Sequence, residues 1–230
     1  MLGLDKNTSL DRLVFFMVMI PKVYIGLEAH DGSGKSSTAM RIAEMFGGRV
    51  FFTSKEMKER RRSIYKTTPS EEKEASIHQT YLDEQDDCFS QTANSSFVVL
   101  DRTWFSHAVE QNVRDVLDDD QQPTYVPRSM PEGLHKPNLV FQILIPEEER
   151  KRRVESRGEE LTDRDVRLND DDGYRDLLED ERGKFGCVPL RLRLRDQQTC
   201  ALRAAQVILG HPDVPPLRIS PNYSFTEHQS

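Results

Sequence analysis

The chain has few cysteines. Its three cysteines, Cys88, Cys187 and Cys200, are odd in number and show no Cys-x-x-Cys spacing, which argues against a disulfide framework or a cysteine zinc site and fits a reducing compartment. It also lacks a long apolar run. LVFFMVMI at 13–20 is eight residues ending at Pro21, against the roughly 20 needed to span a bilayer, so no membrane partner is expected. An excess of cations is missing too: 32 Lys and Arg face 39 Asp and Glu, a net charge of -7 and a pI near 5.5. Such a balance excludes a broadly basic face and with it non-specific binding to nucleic acid. The opening MLGLDKNTSLDR mixes two Asp with two basic residues, as neither a secretory signal nor a strong mitochondrial presequence does. A cytoplasmic location is expected, with a mitochondrial one as the alternative. No internal repeat is visible.

What is present is an alternation of apolar runs and helical patterns. KVYIGLEA (22–29), RVFFTS (49–54), SSFVVLD (95–101), NLVFQILI (138–145) and VPLRLRL (188–194) read as strands, the last as an edge or half-exposed one. Between them, Ala39, Ile42, Ala43 and Phe46 recur at helical spacing, EMKERRRSIYK is a polar helical segment, and Thr68-Pro69-Ser70-Glu71 announces a further helix. WFSHAVEQNVRDVL, PEEERKRRVESRG, YRDLLEDERGKF and TCALRAAQVIL complete the set, and residues 118–137 form a long polar connection. This order predicts an α/β fold, a parallel five-stranded sheet with helices on both faces. It occupies one domain over residues 22–210, after an N-terminal extension (1–21) and before a Pro-rich, flexible tail (211–230).

The chemistry concentrates after the first strand. EAHDGSGKSS (28–37) fits the spacing Gly, four residues, Gly, Lys, Ser, except that Ala29 stands where the first Gly belongs. Gly32 and Gly34 let the backbone approach phosphates, Lys35 supplies a charge to the β- and γ-phosphates, and Ser36 supplies a hydroxyl to magnesium. Asp31, Gly32, Ser33, Gly34, Lys35, Ser36 and Ser37 are therefore candidate nucleotide-binding residues, while His30 reads as a solvent-exposed loop residue. A second constellation, LDRTWFS, ends the third strand. Ligands in parallel sheets sit at the carboxyl ends of the strands, which places Asp101, a candidate for magnesium through water, and Arg102, a candidate for an acceptor phosphate, beside the loop. A third is basic: Arg153 and Arg157 lie four apart, with Arg164 seven further on. A mobile arginine of this kind stabilises charge in phosphoryl transfer; Arg150, Lys151, Arg152 and Arg167 read as solvated.

These residues resemble the thymidylate kinase-like family of P-loop nucleoside monophosphate kinases. EAHDGSGKSS is similar to its E-G-x-D-G-x-G-K-[ST]-T loop at Glu28, Asp31, Gly32, Gly34, Lys35 and Ser36, and VVLDRTWFSHAVEQ is similar to its D-R-Y-x-x-S segment at Asp101, Arg102 and Ser106. DRTWFS, PEGLHKPNLV and the RG-x-x-x-T stretch look closest to the mitochondrial UMP/CMP kinase-type branch. The resemblance runs from about Lys22 to Gly210. It implies ATP with Mg²⁺ as donor and a pyrimidine (deoxy)nucleoside monophosphate, of dTMP or UMP/CMP type, as acceptor. It further implies Asp31 near the reacting phosphates or acceptor sugar, Arg62 and Ser106 on the acceptor side, and Arg153, Arg157 and Arg164 on a lid at about 158–172. The chain departs from the family at Thr103, where a Tyr is usual, at Lys55-Glu56, and at Lys73-Glu74-Ala75-Ser76, which leaves the base open. Two other readings stand beside this one: a deoxynucleoside kinase using Glu28 or Asp101 as base, and a catalytically weak nucleotide-binding protein. Assembly as a homodimer is an open option.

Overall fold

The computed structural model describes residues 22–68, 70–117, 130–156, 163–191 and 197–223. Five strands, β1 (Val23–Glu28), β2 (Arg49–Phe52), β3 (Phe97–Asp101), β4 (Leu139–Leu144) and β5 (Val188–Arg191), form one sheet in the order β2-β3-β1-β4-β5. All its pairings are parallel. Its helices are α1 (Lys35–Met45), α2 (Lys55–Thr67), α3 (Ser70–Gln91), α4 (Trp104–Leu117), α5 (Glu147–Glu155), α6 (Asp163–Asp170), α7 (Asp172–Lys184) and α8 (Gln197–Gly210). The expected α/β architecture is the observed one.

The central strand explains the layering. Every residue of β1 is buried, because side chains alternate between two covered faces. Val23, Ile25 and Leu27 join Val99, Phe141 and Ile143 and meet Ala39 and Ile42 of α1 and Ala201, Ala204 and Ile208 of α8. On the other face Tyr24 and Val98 pack with Phe51 and Cys88, while Val140 meets Ile77 of α3 and Trp104, Phe105 and Ala108 of α4. Gly26 lets α4 begin close to the sheet: a Cβ there would lie 2.7 Å from the Thr103 methyl.

Two boundaries differ from the sequence reading, and a third lies partly outside the described residues. Strand β2 stops at Phe52 because Ser54 caps α2, its Oγ accepting a hydrogen bond from Met57 N at 3.1 Å. Strand β5 is the sheet edge, as its alternation suggested, and residues 192–194 of that segment lie outside the described residues. The tail assigned as flexible from 211 onward instead packs on the core through residue 223. Val214 is buried, Leu217, Ile219 and Tyr223 lie against the main cluster, and Ser220 N donates to Met45 O at 2.7 Å. Its prolines remove donors, but its apolar residues still cover the end of α1. Among the described residues no helix is long and apolar enough to cross a membrane.

Candidate active site

The loop between β1 and α1 is built by two glycines. Gly32 (φ 86°) and Gly34 (φ 82°) both occupy the left-handed region, where a Cβ is strained. Gly32 is doubly required, since a Cβ there would meet Val154 at 2.7 Å and the Arg150 carbonyl at 2.9 Å. Ser33 folds the turn back: its Oγ donates to His30 O at 2.6 Å and its amide to the same oxygen at 3.3 Å. Ala29 is fully buried, and Arg102 is the one non-glycine with positive φ among the described residues. A methyl at position 29 therefore meets no backbone strain, and the missing first glycine is tolerated. Helix α1 opens at Lys35 with no side-chain cap and no acidic residue in its first turn. Its amides and dipole thus face the loop uncompensated, the setting that favours an anion.

Parallel pairing sets Leu27 beside Asp101 and so brings the end of β3 to this loop. The Lys35 ammonium is in ion-pair contact with Asp101 Oδ1, and Ser36 Oγ donates to Asp101 Oδ2 at 2.6 Å. Burial, then Arg102, press the Lys35 pKa down to about 7, against the pull of Glu28 and Asp31; the Asp101 contact opposes the shift. Arg102 adopts φ 91°, a conformation that costs a non-glycine residue energy and that concentrates at functional sites. Its amide donates to Leu27 O at 3.2 Å and its Nη2 to Asp31 Oδ1 at 2.5 Å. Lys35, Ser36, Asp101, Arg102 and Asp31 are thus one connected cluster.

Behind it Glu28 is fully buried. Its Oε1 accepts from Thr103 N at 2.7 Å and Thr103 Oγ1 at 2.8 Å, and its Oε2 accepts from Ser106 Oγ. Ser106, expected on the acceptor side, is buried and holds this carboxylate. Thr103 serves in the place of a Tyr by bonding Glu28 and accepting from Phe105 N at 3.1 Å, which fixes the start of α4.

The basic segment divides. Arg150, read as solvated, is 2% exposed. Its Nε donates to Glu147 Oε2 at 2.7 Å, and its terminal nitrogens reach Asn169 Oδ1 at 2.5 Å and the carbonyls of Asp31 and Leu168 at 3.3 and 3.4 Å. It ties the glycine loop to α5 and α6. The signal was a buried stripe of Arg150 and Val154, four apart on α5. Arg153 donates to Glu149 Oε1 at 2.7 Å; the bonds from Arg152, then Arg153, hold the Glu149 carboxyl at about 2. Arg157 lies outside the described residues, and so does the Arg164 side chain, although its backbone belongs to α6. The rest of the expected lid is anchored, with Leu168 fully buried against Val109 and Tyr174.

One further residue differs from expectation. His30 is 5% exposed, with its Nε2 3.3 Å from Arg182 Nη1 and 3.6 Å from Glu179, because α7 packs over the loop. Arg62 is exposed on α2, whereas Arg61 points inward. The Arg61 guanidinium lies 3.7 Å over the Tyr81 ring, donates through Nε to Thr80 Oγ1 at 3.1 Å and pairs with Glu84. Sequence reasoning missed it, although Met57, Arg61 and Tyr65 stand four apart on the inward face of α2.

Oxygen donors converge at Ser36 and Asp101, a hydroxyl and a carboxylate that suit a hard cation retaining water and phosphate ligands. Among the described residues no group of three or more His, Cys, Asp or Glu could hold a metal by itself.

No family model matches the chain, and no curated protein matches it. Among solved structures, a thymidylate kinase from Candida albicans is 15% identical, with a TM-score of 0.54 over 86% of this chain and 98% of that one. A deoxyadenosine kinase from M. mycoides, with products dCMP and dCDP bound, is 16% identical, with a TM-score of 0.50 over 80% of this chain and 97% of that one. The same enzyme with dATP gives 16%, 0.50, 80% and 100%. The chain thus has the α/β fold that these P-loop kinases share.

Proposed function

We propose that the protein transfers the γ-phosphoryl group of ATP to a pyrimidine nucleoside monophosphate, giving ADP and the diphosphate. One observation carries the reading: Lys35 and Ser36 of the glycine loop both meet Asp101, and the next residue, Arg102, reaches back to Asp31. A donor-phosphate cradle and a cation for the acceptor phosphate therefore stand side by side at the carboxyl ends of β1 and β3. Such a reaction asks for alignment and charge neutralisation more than covalent chemistry.

In this mechanism the amides of residues 31–36 and the Lys35 ammonium hold the β- and γ-phosphates. Ser36 and Asp101 would hold Mg²⁺, which neutralises developing charge on the transferred group. Arg102, oriented by Asp31, holds the acceptor phosphate in line. Arg153, Arg157 and Arg164 are the lid-side candidates for the charge on the moving phosphoryl, and Arg61 takes the acceptor-side place assigned from sequence to Arg62. Substrates are small nucleotides.

The sealed environment of Glu28 favours a monophosphate acceptor over a nucleoside. A nucleoside kinase needs a free carboxylate at the acceptor hydroxyl, and Glu28 is fully buried under bonds from Thr103 and Ser106, while Asp101 is committed to Lys35 and Ser36. The deoxyadenosine kinase likeness is the observation that keeps the nucleoside reading alive. Incubation with ATP, Mg²⁺ and UMP, CMP, dCMP or dTMP should release ADP, and Lys35→Met should lower the rate by about 10²–10³-fold. Turnover of deoxynucleosides in place of monophosphates would establish the rival; ATP binding without turnover of any acceptor would establish a binding protein.

A further inference from the structure

Glu28 is a costly residue for its place. It ends β1, a strand whose every residue is buried, and it is itself fully enclosed. A carboxylate taken out of water destabilises the fold unless donors surround it, and an apolar side chain would pack the end of this strand as well. The donors are present, and they come from one short segment. Thr103 N and Thr103 Oγ1 reach Oε1 at 2.7 and 2.8 Å, and Ser106 Oγ reaches Oε2.

That segment starts directly after Arg102, the one non-glycine at positive φ among the described residues. The amides on both sides of its α-carbon are anchored. Arg102 N donates to Leu27 O at 3.2 Å, and the following amide, Thr103 N, donates to Glu28 at 2.7 Å. The two acceptors are consecutive residues of β1, whose pairing sets Leu27 beside Asp101. With the peptide on each side tied to the central strand, φ and ψ of Arg102 are both fixed, and these bonds offset the cost of a left-handed arginine. The conformation also decides where the guanidinium goes. It meets Asp31 Oδ1 through Nη2 at 2.5 Å, and Arg102 and Thr103 both line a cavity of about 70 Å³ walled by α3, the start of α4 and residues 130–137.

We propose that Glu28 is a positioning residue: its buried carboxylate, acting through the Thr103 amide, holds Arg102 in the left-handed conformation that aims its guanidinium at the acceptor phosphate. The proposal rests on the kinase reading above. Without Glu28 the peptide between Arg102 and Thr103 is free to turn, Arg102 relaxes to negative φ, and its side chain swings away from Asp31. The bonds to Glu28 lead to the start of α4 and not to the glycine loop, so its loss falls on the acceptor and spares MgATP. If Glu28 served only to cap α4, its loss would lower stability and treat both substrates alike.

The test uses the full chain with ATP, Mg²⁺ and the acceptors UMP, CMP, dCMP and dTMP. Glu28→Ala should lower kcat/KM for the acceptor about 10–100-fold while the KM for MgATP changes less than about twofold. Glu28→Gln keeps an oxygen for the Thr103 amide and should return the acceptor kcat/KM to within about fivefold of the wild type. In an Arg102→Ala background, Glu28→Ala should have less than about a threefold further effect, because it acts through Arg102. Equal losses for both substrates, or an undiminished loss once Arg102 is gone, overturn the proposal. If Glu28→Ala does not fold, Thr103→Val combined with Ser106→Ala loosens the carboxylate and should still raise the acceptor KM at least about threefold with MgATP unaffected; an unchanged acceptor KM overturns the proposal. If the wild type turns over no acceptor, the kinase reading is what fails. The backbone then decides the positioning by itself: crystals of whichever variant folds should show Arg102 at negative φ, and a φ still at 91° overturns it.

Discussion

The two halves of the crevice are built by opposite means. The glycine-loop half is a contiguous stretch, residues 28–37, in which glycines at positive φ lead into the start of α1 and an ammonium and a hydroxyl meet on one carboxylate. The other half, around the cavity, is assembled from α3, the start of α4 and residues 130–137, elements far apart in sequence, and it retains a buried donor and acceptor without partners among the described residues. A phosphate site needs generic positive polarity, which local backbone supplies. A base site needs individual side chains at fixed distances, which only packing of separate helices supplies.

The largest effect that would sharpen this contrast is on stability. Arg150 is buried and joins the donor loop to α5 and α6, so Arg150→Met should cost about 3–5 kcal/mol in urea unfolding by stranding Glu147 and the loop carbonyls. A loss under about 1 kcal/mol would show that the loop holds its shape without this brace. Next comes a pair of neighbours on α2. Arg61→Ala should raise the acceptor KM about tenfold or more by freeing Glu84 and Tyr81, with MgATP affinity unchanged. Arg62→Ala, on the exposed side, should stay within about 0.5 kcal/mol in stability and leave both KM values alone. Equal effects at 61 and 62 would break the division between halves.

The smallest effect is one of protons. With its pKa near 7 instead of 10.5, Lys35 gives up its proton at lower pH in the folded chain than in the unfolded one. Between those values the unfolded state binds more protons, so this group's penalty is fullest below pH 7 and is relieved as pH rises toward 10.5. A polyphosphate pulls the pKa back up. MgATP binding near pH 8 should therefore take up a fraction of a proton, up to about one, seen as a buffer-dependent calorimetric enthalpy that Lys35→Met abolishes. An enthalpy independent of buffer would show that Asp101 alone keeps the ammonium charged.

Local pattern was enough for the sheet, for the glycine loop and for Asp101-Arg102, because strand, turn and helix chemistry over about ten residues determine where such groups go. Where a charged side chain ends was a different matter. Arg150 and His30 read as solvated, yet α5, α6 and α7 enclose them, and Arg61 points inward while Arg62 is exposed. The tail likewise read as mobile from its prolines, yet Val214 and Tyr223 had a core to cover.

The sequence by itself determined the α/β alternation, the glycine turn before α1 and the acidic-basic pair at the end of β3, since each depends on neighbours along the chain. The tertiary structure alone decided which arginines are buried, that Glu28 is sealed and Ser106 serves it, and that Glu84 and Trp104, far apart in sequence, line one cavity. Those outcomes depend on how helices distant in sequence pack around the sheet, and burial, unlike backbone conformation, is a property of the whole fold.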